Sequence, residues 1–291
     1  MDTLPIGYKA KLLEPRGLAI YILIASVLPM LVFSPFILGK LKWPSEVTPA
    51  LAIGMVLMNA APLILAFVLT AIAEGKQGVK ALAGRLWKRG LSIKWVLISL
   101  LVWLVVFLLI NLAASALEDG ASPAVFSFVG KPWTYFPSVF LASSLIVVVE
   151  EFGWRGYVLP RLQARWNALG SSIILGVFWA LAHLPNWFMP PGNPNRDDNY
   201  WAFAVQIILA SILYTWIFNN TRGNLVAVIL AHTMSNSGGA LIGIPDSYLT
   251  YLDWALLLVV IPVVIIFGPK NLVRERPKES AAHERPPVVA D

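Results

Sequence analysis

The sequence predicts an all-α, polytopic membrane helix bundle of about eight transmembrane helices. Three observations carry that expectation. Apolar residues make up 58% of the 291-residue chain and charged residues 13%, against about 25% charged in soluble domains. The mean hydropathy is +0.71. Apolar runs of about 20 residues recur, the length that crosses the hydrocarbon at a rise of about 1.5 Å per residue.

Eight such runs are expected, at about 18–38, 50–73, 95–117, 137–159, 169–186, 201–218, 225–243 and 251–268. They lack the period-two alternation of barrel strands, so helices must satisfy the backbone in lipid. The first run carries Pro29 and Pro35 and has no small-residue cleavage site after it. It reads as a retained span rather than a removed signal peptide. The expected division is a cytoplasmic N-terminal segment at 1–17, a membrane-embedded domain at 18–268 and a disordered cytoplasmic tail at 269–291.

Basic residues orient the bundle. With the N-terminus inside, 18 of the 22 Lys and Arg fall on the cytoplasmic side, and only Lys40, Lys42, Lys131 and Arg196 fall outside. The positive-inside rule then places both termini in the cytoplasm and requires an even number of spans. The expected location is the prokaryotic plasma membrane. Segment 74–94, with Leu82, Ala83, Leu86 and Trp87 among its cations, reads either as an interfacial amphipathic helix or as a solvated loop. The net charge of +6 belongs to the membrane surface, and nothing in the sequence points to a nucleic-acid partner. The absence of cysteine excludes disulfides, thiolate metal ligands and a cysteine nucleophile.

Ionisable residues inside spans are costly, so each marks a candidate functional site. Here they cluster. The fourth run carries Glu150, Glu151 and Arg155, the fifth His183, and the seventh His232 with Asn236. Glu151 and Arg155 are four apart and share a helix face, the spacing of a structural ion pair. Glu150 points about 100° away and is left to face a cavity as a general base. The alternative is a buried structural network of all three. His232 and Asn236 are again four apart and present side by side. His283 lies in the tail, where a solvated role suffices.

These residues carry a resemblance. Glu150-Glu151 with Arg155 resembles the EExxxR motif of the CAAX prenyl-protease family of membrane peptidases, also called the CPBP or Abi family. His183 is similar to the histidine of its FxxxH motif, and His232 with Asn236 to HxxxN. One departure is visible: Trp179 stands where the second motif has Phe, which keeps an aromatic and bears on cavity shape more than on chemistry.

The resemblance implies an eight-helix fold with a cavity open to the cytosol and to lipid, and cleavage of a peptide bond in a membrane-bound or lipidated substrate. By resemblance, Glu150 activates the water with help from His183, while His232 and Asn236 stabilise the oxyanion. Members of the family have been described both as metalloproteases and as metal-free glutamate proteases. Glu150, His183 and His232 are also the candidate ligands of a metal, with Zn2+ as the candidate ion and an open position on it.

Other protease classes fit less well. HExxH is absent, no two aspartates lie in spans, and a serine mechanism through Ser235 or Ser237 with His183 leaves both glutamates unexplained. A proton-coupled transporter and a non-catalytic membrane chaperone or immunity protein of the same fold are the remaining alternatives.

Overall fold

Long apolar runs without a polar face become helices, because lipid offers the backbone no other hydrogen-bond partner. The computed structural model describes residues 15–39, 49–117, 129–188, 199–243 and 251–274. The first three helices are α1 (Pro15–Ile37), α2 (Pro49–Ala83) and α3 (Ile93–Leu117). Next, α4 (Tyr135–Glu151) runs through a π-helical segment, Phe152–Val158, into the short α5 (Leu159–Gln163). Helix α6 (Ala168–His183) ends in a 3-10 turn, Leu184–Phe188, and α7 (Tyr200–Asn220) follows. The chain closes with α8 (Leu225–Ser237), a 3-10 turn at Gly238–Ala240, and α9 (Leu252–Phe267).

Among the described residues six stretches are long and apolar enough to cross a membrane: Pro15–Ile37, Asn59–Ala83, Ile93–Leu117, Tyr135–Gln163, Ala168–Phe188 and Tyr200–Asn220. Leu252–Phe267 is a shorter apolar helix. The all-α polytopic bundle expected from the sequence is thus the observed class. The seventh expected run differs in form, since α8 has only 13 residues. Nine of those 13, from Leu225 to Ser237, are buried. Large apolar side chains such as Leu31, Leu112, Leu145 and Leu258 are instead exposed on the outer helix faces. Lipid rather than water is the solvent that such a surface fits.

Helix α8 packs against α3, α4 and α7, while α6 packs most extensively on α7 and also against α1. Close approach is made possible by small residues. A Cβ at Gly176 would lie 2.7 Å from the Ile208 Cα, and one at Gly238 would overlap the Phe107 ring. In the π segment a Cβ at Gly153 would collide with the Tyr21 hydroxyl of α1 and sit 2.9 Å from Pro62 of α2. Small residues at helix contacts are how membrane helices gain packing without a hydrophobic driving force.

Helices α6, α7 and α8 begin in the same way, whereas Thr134 before α4 makes no side-chain cap. Asn167 Oδ1 accepts from Gly170 N at 2.7 Å, Asn199 Oδ1 from Trp201 N at 2.9 Å and Asn224 Oδ1 from Ala227 N at 3.3 Å. Each caps an orphan donor of the first turn.

Two segments differ from the simplest reading of the sequence. Within 74–94, the helix continues to Ala83 across a break at Gly75, whose φ of 65° suits glycine. Residues 84–92 are turns, bends and irregular backbone; Leu82, in the last helical turn before them, is buried and Trp87 is exposed. Glu74 is buried and paired with Arg161 of α5, whose guanidinium lies 3.6 Å from the Tyr157 ring centroid. In the turn, burial, reinforced by Arg85 and Arg222, lowers the Lys88 pKa from its ordinary value. The tail expected from 269 begins as ordered structure. Ala168 N donates to Lys270 O at 2.8 Å, Leu169 N donates to Pro269 O at 3.1 Å, and Leu272 is buried. Residues 1–14 and 275–291, on which the rest of the terminal expectations fall, lie outside the described residues.

Candidate active site

The two adjacent glutamates project to different partners, as helix geometry requires of neighbours about 100° apart. Glu151 is fully buried. Its Oε1 accepts from Arg155 Nη1 at 2.9 Å and lies 2.7 Å from His232 Nδ1. Glu150 is half-buried, and its Oε2 accepts from the indole Nε1–H of Trp179 at 3.0 Å. The ion pair expected from the four-residue spacing is present, and the structure adds His232 to it.

Arg155 is fully buried and makes one charge-assisted hydrogen bond, to Glu151. Its guanidinium carbon lies 4.4 Å from the Trp179 ring centroid and 4.9 Å from that of Tyr214. Two aromatic faces therefore hold a desolvated cation. Its Nε and Nη2 have no hydrogen-bond partner among the described residues.

His232 sits among the same rings. Tyr214 stacks on it at 5.2 Å and 28°, and Trp179 meets it edge-on at 5.1 Å and 78°. A carboxylate on Nδ1 favours a proton there, which leaves Nε2 as the atom for other partners. His183 is held differently: its Nδ1 lies 2.9 Å from the Trp179 carbonyl, and its ring is 5.9 Å from the Trp179 ring. A carbonyl only accepts, so Nδ1 carries a proton and Nε2 is left for other partners.

Asn236 is exposed on the last turn of α8. Its Oδ1 lies 3.2 Å from Ser235 Oγ. That hydroxyl accepts from Tyr214 Oη at 2.8 Å and is 2.7 Å from the His232 carbonyl. Ser237 Oγ donates to Thr233 O at 2.6 Å. Neither serine is bonded to His183 among the described residues.

The structure thus gathers Glu150, His183, His232 and Arg155 around one residue, Trp179, with Glu151 held by Arg155 and His232, and leaves Asn236 exposed on the last turn of α8. Trp179 was read from sequence only as a retained aromatic; its indole N–H makes it part of the polar network. Tyr214 was not singled out in the sequence, and a lone tyrosine in an apolar run carries no periodic signal that would have found it; Ser235 was weighed only as a serine nucleophile, not as the partner of Tyr214.

The donor set does not fit a metal. Among the described residues no group of three or more His, Cys, Asp or Glu is placed to hold one. The expectation of a metalloprotease, with Zn2+ on Glu150, His183 and His232, thus finds no support in the placement of these side chains.

A helical, multi-pass integral membrane protein with a buried Glu–Arg–His cluster beside a second, half-buried glutamate is the class that fold and site define. Residues 132–238 match the family model described as Type II CAAX prenyl endopeptidase Rce1-like. CAAX prenyl protease 2 of Methanococcus maripaludis is 27% identical over 218 residues, covering 72% of this chain and 79% of that protein. The matched region holds all six candidate site residues, from Glu150 to Asn236. The resemblance of this chain to the CAAX prenyl proteases is thus shown.

Proposed function

We propose that this protein is an intramembrane endopeptidase of the CAAX-processing type that hydrolyses a peptide bond of a membrane-bound or lipidated substrate with water activated by Glu150. The observation that carries the reading is the division between the two glutamates. Glu151 is committed to Arg155 and His232, whereas Glu150 Oε1 has no hydrogen-bond partner among the described residues and its carboxyl is half-buried.

In this reading Glu150 takes a proton from water and the oxygen adds to the scissile carbonyl carbon. The proton passes to the amine nitrogen as the C–N bond breaks, leaving a carboxylic acid and a free amine. His183, with Nε2 unprotonated, is suited to accept a hydrogen bond from the same water. His232 enters the cycle in this reading as imidazolium, Nδ1–H on Glu151, and keeps both protons throughout, donating from Nε2. With the Asn236 amide it meets the developing oxyanion.

The test is incubation of the purified protein in detergent with a peptide ending in a prenylated Cys-containing CAAX sequence. Mass spectrometry should find the released C-terminal tripeptide, and cleavage should persist in chelator. An intact peptide would favour a non-catalytic scaffold of the same fold, and loss in chelator with recovery on added zinc would restore the metal reading.

The proposed orientation has both termini in the cytoplasm of a prokaryotic plasma membrane, supported by the 18 basic residues on one side. A reporter active only in the cytosol, fused after Asp291, should be active. A signal from an external-only reporter there would reject the orientation.

A further inference from the structure

We propose that Trp179 is the positioning residue of the site, its indole N–H holding the Glu150 carboxylate in the orientation in which it meets water. The inference rests on the reading of Glu150 as the base and goes beyond it. The N–H to Oε2 distance is 3.0 Å, and Trp179 is 2% exposed. The indole N–H therefore has no competing solvent.

A buried Trp ordinarily needs some acceptor for this atom. Here the acceptor is the carboxylate proposed to do the chemistry, on a different helix 29 residues away. A hydrogen bond at one oxygen restricts rotation of the carboxyl and leaves Oε1 as the basic atom. The same residue fixes the rest of the site through separate atoms. Its carbonyl sets the His183 tautomer, and its ring lies against Arg155 and His232. Only the link to Glu150 depends on the indole nitrogen, so that link can be removed alone. A phenylalanine at this position would keep a ring and the carbonyl but no donor.

Trp179→Phe is the first variant. The second places benzothienylalanine at 179 by site-specific incorporation, which keeps the bicyclic ring and replaces N–H with sulfur. The third uses fluorotryptophan, which keeps N–H. With the cleavable prenylated peptide, the sulfur variant should melt like the parent and lose about ten- to a hundredfold in kcat, the worth of a hydrogen bond to a charged group. KM should move by less than about twofold, since the buried ring touches no substrate. Fluorotryptophan should restore the rate. A purely structural role would leave the sulfur variant at full speed, and that result would overturn the proposal.

A second readout needs no substrate. The 15N-labelled indole N–H resonance of Trp179, assigned by its loss in Trp179→Phe, should move upfield in Glu150→Ala, and an unmoved resonance also overturns the proposal. Full turnover in Glu150→Gln instead rejects the base assignment. Full turnover of the sulfur variant while Glu150→Gln is inert rejects the positioning role alone.

Discussion

Glu150→Gln is expected to fold as the parent does and to cleave substrate about 100-fold more slowly or worse, the loss typical of a missing general base. The amide has the size of the carboxylate, and its oxygen can still accept from the Trp179 indole, so the contact at 3.0 Å survives. What disappears is the ability to take a proton from water. Melting in detergent and peptide cleavage, measured on the same preparation, separate the two effects. Should Glu150→Gln turn over at nearly the parent rate while a folded Glu151→Gln is inert, the roles of the two carboxylates are reversed.

Glu151→Gln is expected to fail first in stability. Its Oε1 serves Arg155 and His232 together, at 2.9 and 2.7 Å, and both carboxyl and guanidinium are fully buried. Removing the charge leaves Arg155 with two aromatic faces and no anion. Breaking a buried pair in this way costs about 3–5 kcal/mol. Yield and melting temperature should therefore drop before any kinetic change is measurable. Adding Arg155→Met removes the stranded cation, so the double variant should melt above Glu151→Gln. It should stay below the parent, because His232 still lacks its acceptor. Equal melting of Glu151→Gln and the parent would show that this cluster does not hold the bundle together.

The sequence made the parts of this site readable in proportion to how local they are. Apolar run length located the helices because lipid leaves the backbone no alternative to helical hydrogen bonds. The Glu151–Arg155 pair follows from four-residue spacing alone. The contact of His232 with Glu151 spans 81 residues, and that of Arg161 with Glu74 spans 87. No periodicity encodes such distances, so His232 was assigned to the oxyanion or to a metal and never to Glu151, and Glu74 to a segment read as an interfacial helix or a solvated loop.

Trp179 illustrates a different gap. Reading it by class, as an aromatic replacing an aromatic, concealed its one polar atom, which Phe lacks. The ordered start of the tail was missed for yet another reason. Its contacts are backbone carbonyls of Pro269 and Lys270 meeting the first turn of α6, and backbone atoms leave no mark on composition.

The π-helical stretch at Phe152–Val158 is a wide turn spliced into an otherwise α-helical rod. Such turns amount to one residue more than an α-helix would use, and they gather at functional sites. Upstream of it, Glu151 meshes with α8; downstream, Arg161 meshes with α2. The two ends of the rod are thus geared to different neighbours, and the extra residue sets the phase between the gears. An α-helix of one residue fewer would turn Arg161 by about 100° relative to Glu151. One of the two buried ion pairs would then point into lipid. Gly153 and Gly156 lie within the wide turn, where Cβ atoms would strike Tyr21 and Leu82. The segment between the two glutamates and Arg161 therefore behaves as a clutch plate, fixed in register by what each end grips.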